Sequence, residues 1–277
     1  MVAGRPLLVV DGDSLAHRAY HALPKSINYN AVVGFTNMLL RLWEQEEPRT
    51  VFVGWDTLTE PTYRHQAFEA YQSGRHFDDS LLEQLDLLPQ LVEAFGFATA
   101  KAGGYEADDF VGAAVKAEEG GGGTAVVITS DRDLFQLASE RTVIVTPVRG
   151  VSELARIGPA EVRERYGVEP EQVPDFIALR GDPSDRLPGA PGVGPKTAAS
   201  ILKQHGSLAA ALEAGRFPKH REELELYRRI ATLDASAPLP PLVDASPTWA
   251  EASSLVRSWG LNQLADRLAA RASAGTA

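Results

Sequence analysis

Apolar, β-branched runs in this chain end repeatedly on aspartate. Leu7-Leu8-Val9-Val10 runs into Asp11, Val51-Phe52-Val53-Gly54-Trp55 into Asp56, and Val126-Val127-Ile128-Thr129-Ser130 into Asp131 and Asp133. Helical patterns alternate with these runs, near Ala31–Glu46, Leu81–Phe95 and Glu106–Glu119. Short extended pieces at Phe97–Lys101 and Thr142–Pro147 complete the series, and Gly120 to Gly123 turn the chain into the strand Thr124–Thr129. Strands alternating with helices predict an α/β domain with a mostly parallel sheet. In an open sheet of that kind ligands bind beyond the carboxyl ends of the strands, where these aspartates fall.

After Gly158 the pattern changes to short helices joined by Gly- and Pro-rich turns: Pro159–Tyr166, Val173–Arg180, Lys196–His205, Leu208–Ala214 and Arg221–Ala231. Ala237-Pro238-Leu239-Pro240-Pro241 interrupts the series, and a last helical stretch runs from Ala252 to about Ala270. The expected division is an α/β unit over 1–157 and a helical unit over 158–277.

Composition excludes several classes of chemistry. With no cysteine there is no disulfide, thiolate zinc site or cysteine nucleophile. No apolar run approaches a membrane span, so a cytoplasmic protein without a membrane partner is expected. The net charge of −10 argues against a nucleic-acid partner only if the carboxylates stay uncompensated, since two bound divalent ions cancel four charges.

The acidic clusters are more numerous than helix capping requires. Besides Asp11, Asp56, Asp131 and Asp133 there are Glu106-Ala107-Asp108-Asp109, and then Asp182 and Asp185. Carboxylates gathered at one sheet end repel one another unless cations lie between them. Helix spacing adds a constraint: Glu106 and Asp109 share a face while Asp108 points away, so all three reach one site only if Glu106 sits at or before the first turn. Oxygen ligands spread from Asp11 to Asp185 suit two magnesium or manganese ions rather than zinc or an EF-hand calcium. Two such ions suit in-line displacement at phosphorus.

Leu187 to Thr197 (Leu-Pro-Gly-Ala-Pro-Gly-Val-Gly-Pro-Lys-Thr) is not a Walker A loop, because Pro195 follows Gly194 where lysine is needed. It is a glycine-rich turn delivering chain into a helix. Gly192, Gly194, Lys196 and Thr197 at that helix start form an expected phosphodiester-backbone site. Pro61–Gln66 through Tyr71–Arg75 mixes aromatic and basic residues, which suits a single strand of nucleic acid.

Taken together, Val10-Asp11-Gly12, Tyr63-Arg64-His65, Gly104 to Asp109, Thr129 to Leu134, Gly181 to Asp185 and Leu187 to Thr197 resemble the 5′-nuclease domain of bacterial DNA polymerase I. More broadly they are similar to the flap endonuclease family with its PIN-like fold, over about Leu7 to Leu268. The resemblance implies that Asp11, Asp56, Glu106, Asp108, Asp109, Asp131, Asp133, Asp182 and Asp185 bind metal. It implies a helix–three-turn–helix at about 185–206, with a potassium ion, and a helical arch near 60–80. Arg64 and Arg75 would contact phosphate during catalysis, Tyr71 would stack on a base, and Arg18 would lie on the DNA path. One departure stands out: Gln72, expected with Tyr71 among the DNA-binding residues, follows Tyr71 where the family usually has lysine.

The implied activity is metal-dependent, structure-specific hydrolysis of DNA at or near 5′ ends, on flaps, nicks or overhangs. It leaves 5′-phosphate and 3′-hydroxyl products, in replication and repair beside a DNA polymerase and a ligase. A chain stopping near Ala277 is expected to be a free-standing nuclease. The alternatives are a DNA-binding protein with weak catalysis because of Gln72, and a PIN-type ribonuclease.

Overall fold

The computed structural model describes residues 4–74, 76–149 and 153–274. A six-stranded sheet has the order β3-β2-β1-β4-β5-β6, with β1 Leu7–Asp11, β2 Thr50–Gly54, β3 Ala98–Ala100, β4 Ala125–Ile128, β5 Thr142–Arg149 and β6 Glu153–Ile157. The first five are parallel, and β6 returns antiparallel along β5. In register, Leu7 faces Thr50 on one side and Ala125 on the other, so Asp11 and the residues just after β2 and β4 emerge at one end.

Alternate residues of each strand feed two separate cores, as the two-residue period of a strand dictates. Leu7, Val9, Phe52, Val127 and Ile144 face one core. Helices α5 (Ala107–Gly120), α6 (Pro159–Tyr166), α7 (Val173–Arg180), α8 (Pro195–His205), α9 (Leu208–Glu213) and α10 (Arg221–Ala231) pack there. Leu8, Val10, Val53 and Ile128 face the other, covered by α1 (Gly12–Ala22), α2 (Asn30–Glu46) and α4 (Asp79–Ala94). Helices α11 (Trp249–Ser258) and α12 (Asn262–Ala274) join this second core through Ala252, Val256, Leu264 and Leu268. The chain's last helices thus pack with the α/β half, although the sequence pattern groups them with the helical unit.

A strap over residues 233–248 carries the chain from one core to the other. The Ala245 amide donates to Arg49 O at 3.1 Å and the Thr248 amide to Phe95 O at 3.0 Å. Arg49 donates to Leu242 O and Asp244, each at 2.8 Å, and to Glu118 at 2.5 Å. These contacts lie at the amino ends of β2 and β3.

Further features depart from the sequence expectation. Helix α1 follows β1 with no loop, capped by the Asp11 carboxylate, which accepts the Ser14 amide at 3.0 Å. The last helical stretch is broken at Gly260, whose φ of +80° ends α11. In place of a helical arch near 60–80 there is a five-residue helix, α3 (Tyr63–Ala67), followed by turns to Gly74. Among the described residues no helix is long and apolar enough to cross a membrane.

Candidate active-site cleft

A cleft of about 1200 Å³ opens at the carboxyl end of the sheet, between the strand ends and the α7–α8 turn. Asp11, Asp56, Glu106, Asp108, Asp131, Asp133 and Asp182 all line it. The packing that holds them is close. A Cβ on Gly12 would lie 2.5 Å from the Trp55 ring, and one on Gly54 2.8 Å from Ala107 O. Glycine at these positions lets β1, β2 and the start of α5 approach one another.

Several of these carboxylates are oriented by donors, some from a neighbouring element and some from their own turn. Asp11 accepts the Thr129 hydroxyl at 2.8 Å, and that hydroxyl in turn accepts the Asp131 amide at 2.9 Å. Asp131 accepts the Asp133 amide at 3.0 Å, and Asp56 accepts the Ala107 amide at 2.7 Å. Asp182 accepts both the amide and the hydroxyl of Ser184, and Arg180 at 3.1 Å. Asp182 is itself pinned by a two-residue bridge to Leu187. That bridge requires glycine at 189, where φ is +74° and a Cβ would sit 2.3 Å from Gly181 N.

Burial pushes the Asp11 carboxyl up to about 7, and the Asp56 and Asp131 charges add to it against the Ser14 and Thr129 hydrogen bonds. Burial also raises Asp108, with Asp11 and Asp131 adding, and Asp133, with Asp131 and Asp185 adding. The cluster resists carrying its full negative charge unless positive charge enters the cleft. Among the described residues no three carboxylates or histidines are already gathered tightly enough to hold one ion. The donor set is all oxygen and partly committed to backbone amides, which fits a hard divalent cation that keeps several waters. Asp11, Asp56, Glu106, Asp108, Asp131, Asp133 and Asp182 are the residues that would hold it.

Three expectations are corrected. Asp109 is fully buried, and its oxygens accept Arg64 at 2.8 and 2.7 Å, the Glu106 amide at 3.1 Å and the Asp234 amide at 2.8 Å. Four donors leave it no lone pair to offer a cation, and it faces the core rather than the cleft. Arg64, equally buried, also donates to Ile230 O at 2.9 Å. Its guanidinium therefore holds α3, α5 and α10 together and is closed off from a phosphate. Tyr71 is buried too; its hydroxyl donates to Glu106 at 2.9 Å and its ring meets His65 edge-on, so it has no free face for a base.

Asp185 is not part of the cleft lining and accepts Gln72 Nε2 at 3.1 Å. Gln72 does line the cleft, and half-buried Arg18 lies on its wall with His17 and His21. Gly192, Gly194, Lys196 and Thr197 are exposed at the start of α8, outside the cleft. Arg75 lies outside the described residues.

Two cleft residues escaped the sequence reading. Asp13 is buried, accepts the Asp56 amide at 2.7 Å, and is raised by burial and by the Asp56 charge. Its position two residues past a strand-end aspartate was the available signal. Arg180 lies over the Phe176 and Tyr166 rings at 5.4 and 6.0 Å and opposes the charge of Asp133. Nothing in local sequence distinguishes it from a helix-terminal arginine.

Comparison with known proteins identifies the family and the fold. The family described as 5'-3' exonuclease, N-terminal resolvase-like domain, matches residues 6–167, and the 5'-3' exonuclease, C-terminal SAM fold, matches 168–248. DNA polymerase I of Bacillus caldotenax is 39% identical over 83% of this chain and 27% of its own length. That of Mycobacterium bovis is 40% identical over 75% of this chain and 24% of its own. The chain spans about a quarter of the length of these relatives. Among solved structures, a T5 5'-exonuclease with bound divalent zinc ions superposes with a TM-score of 0.71 at 19% identity, covering 95% of this chain and 98% of that one. The catalytic core of Rad2 in complex with DNA substrate gives 0.60 at 16% identity, covering 95% and 90%. With one family model covering more than half of its residues and a second continuing to residue 248, the chain belongs to the 5'-3' exonuclease family of nucleases.

Proposed function

We propose that this chain is a divalent-metal-dependent, structure-specific 5′-3′ exonuclease and flap endonuclease acting on DNA. The observation that carries the proposal is the cleft itself, where carboxylates following β1, β2 and β4, at the start of α5 and in the α7–α8 turn converge at the carboxyl end of a parallel sheet. Two magnesium or manganese ions there would supply Lewis acidity toward the scissile phosphate and the attacking water. The chain's own residues do the rest. Asp11, Asp56 and Asp131 are held at fixed orientations by Thr129, Ala107 and Asp133 amides or hydroxyls, so little reorganisation accompanies cation binding. Arg18 and exposed Arg132 on the cleft rim would steer the backbone of the 5′ strand. The amides opening α8, with Lys196 and Thr197, would hold a phosphate of the duplex, with a potassium ion as a further ligand of the glycine-rich turn. Products would carry 5′-phosphate and 3′-hydroxyl ends, in replication and repair alongside a DNA polymerase and a ligase.

The test uses a DNA flap labelled at its 3′ end, with magnesium or manganese, against Asp131→Asn and a chelator. A discrete or laddered product lost in both controls is expected. Absence of product from the wild-type chain, with gel-shift binding intact, would overturn the catalytic reading. It would favour a second one, a DNA-binding protein with weak catalysis, for which the specific observation is the uncharged Gln72 on the cleft wall. Loss of one charged contact to the phosphate costs roughly 10²–10³-fold in rate, which Gln72→Lys should then restore.

A further inference from the structure

Gln72 is one of five non-glycine residues among those described with positive φ, at +47°. A strained backbone of this kind persists where its surroundings hold it. Here the Gln72 amide donates to Asp185 O at 3.4 Å, and its side chain makes two further bonds. Nε2 donates one hydrogen to Tyr71 Oη at 2.8 Å and the other to Asp185 Oδ1 at 3.1 Å. Tyr71 Oη passes its own hydrogen to Glu106 Oε2 at 2.9 Å. The chain of donors has one consistent arrangement. With a carboxylate oxygen accepting at each end, the central amide gives two hydrogens and the hydroxyl gives one while taking one.

We infer that Gln72 is a positioning residue that, through the Tyr71 hydroxyl, couples Glu106 in the cleft to Asp185 in the helical half behind it. Glu106 caps the start of α5, and Asp185 belongs to the turn between α7 and α8. A second contact joins the same two segments: Arg186 Nη2 lies 3.0 Å from where a Cβ on Gly74 would stand. Residues 71–74 therefore dock on 185–186 through side chain and backbone together, and the amide of Gln72 with the hydroxyl of Tyr71 spans the gap between the two carboxylates.

The chemistry sets which replacements work. Methionine fills the space and donates nothing. Glutamate brings a third carboxylate between two others. Lysine has three donors and can reproduce both bonds, with added charge. Amide hydrogen exchange, followed without divalent cations over 68–74 and 182–187, reads the coupling directly. In Gln72→Met and Gln72→Glu, exchange should accelerate about tenfold or more in both segments together, and Gln72→Lys should retain wild-type protection. Tyr71→Phe should loosen 68–74, and adding Gln72→Met to it should cost less than the two changes separately. Unchanged exchange over 182–187 in Gln72→Met, or a Gln72→Lys variant that exchanges like Gln72→Met, would overturn the inference.

A positioning role also predicts that kcat for flap cleavage falls in Gln72→Met while KM stays, with Gln72→Lys restoring it. That last readout rests on the reaction proposed above. A wild-type chain without activity would sink that reaction and leave the exchange data to judge the coupling.

Discussion

Replacing Asp109 with leucine separates a structural carboxylate from a metal ligand. The Arg64 guanidinium would stay buried without its two bonds of 2.8 and 2.7 Å, with Glu106 at 3.5 Å as its remaining counter-charge. Breaking a buried pair from one side costs about 3–5 kcal/mol. The Glu106 and Asp234 amides, which donate to Asp109 at 3.1 and 2.8 Å, would be orphaned as well. At about 1 kcal/mol for each orphan, the low end of the usual range, and the low end of the pair penalty, the loss is about 5 kcal/mol. Such a loss rivals the total stability of many domains and lowers Tm by about 10–20 °C. Urea and thermal unfolding in a chelator measure it, and the double variant Arg64→Leu/Asp109→Leu keeps the measurement possible if the single one does not fold. The double variant should recover most of the pair penalty and still lack acceptors for the two amides. Asp108→Asn is the contrast, expected to leave apo stability unchanged or raised while weakening Mn²⁺ binding. An Asp109→Leu protein that melts within about 2 °C of wild type, a shift worth less than about 1 kcal/mol, and loses Mn²⁺ binding as Asp108→Asn does would refute the assignment.

Protonation gives a second test. The Asp11 carboxyl is raised from 3.8 to about 7, so the folded chain holds a proton that the unfolded chain releases. Its favourable share is complete below the unfolded value and is lost as pH rises through that window, at most about 4 kcal/mol. Apo stability should therefore fall between pH 4 and 7, an effect that Asp11→Asn flattens in urea titrations at several pH values. Gly189→Ala should cost roughly 3 kcal/mol or more by thermal unfolding, because backbone stands where the methyl would go, while Gly192→Ala, with open space around it, should cost about 1 kcal/mol. Lys196→Ala should lower the salt dependence of DNA binding by about one unit of slope, measured as affinity against KCl concentration, and Gln90→Ala should not.

The strands were legible because their apolar runs are continuous, and the strand-end aspartates because sheet geometry sends them to one edge. Helix spacing already said that Asp108 and Asp109 diverge. Which of them turns to the cleft depended on Arg64, 45 residues away in sequence from Asp109, and no local pattern encodes that pairing. Tyr71 illustrates the same gap: an aromatic among basic residues suits base stacking, but Glu106 holds its hydroxyl from 35 residues away while the nearby His65 meets its ring. Strand β6 was missed because its Glu-Leu-Ala-Arg-Ile is a mostly solvated edge without alternation. The start of α1 was hidden by its direct emergence from β1, where one aspartate serves as strand end and helix cap at once.

The strap across the amino ends of β2 and β3 has a mechanical consequence. The helical layer enters from β6 on one side and leaves through residues 233–248 on the other, and Arg49, Glu118 and Asp244 bolt that exit to the sheet. The helical layer is therefore tied to the sheet by covalent chain at both its entry and its exit. Asp182 lines the same cleft as Asp11 and Asp131, so the two walls of that cleft are joined by a closed circuit of chain, and a single proteolytic nick in the strap would open the circuit while α11 and α12 keep their own packing in the second core.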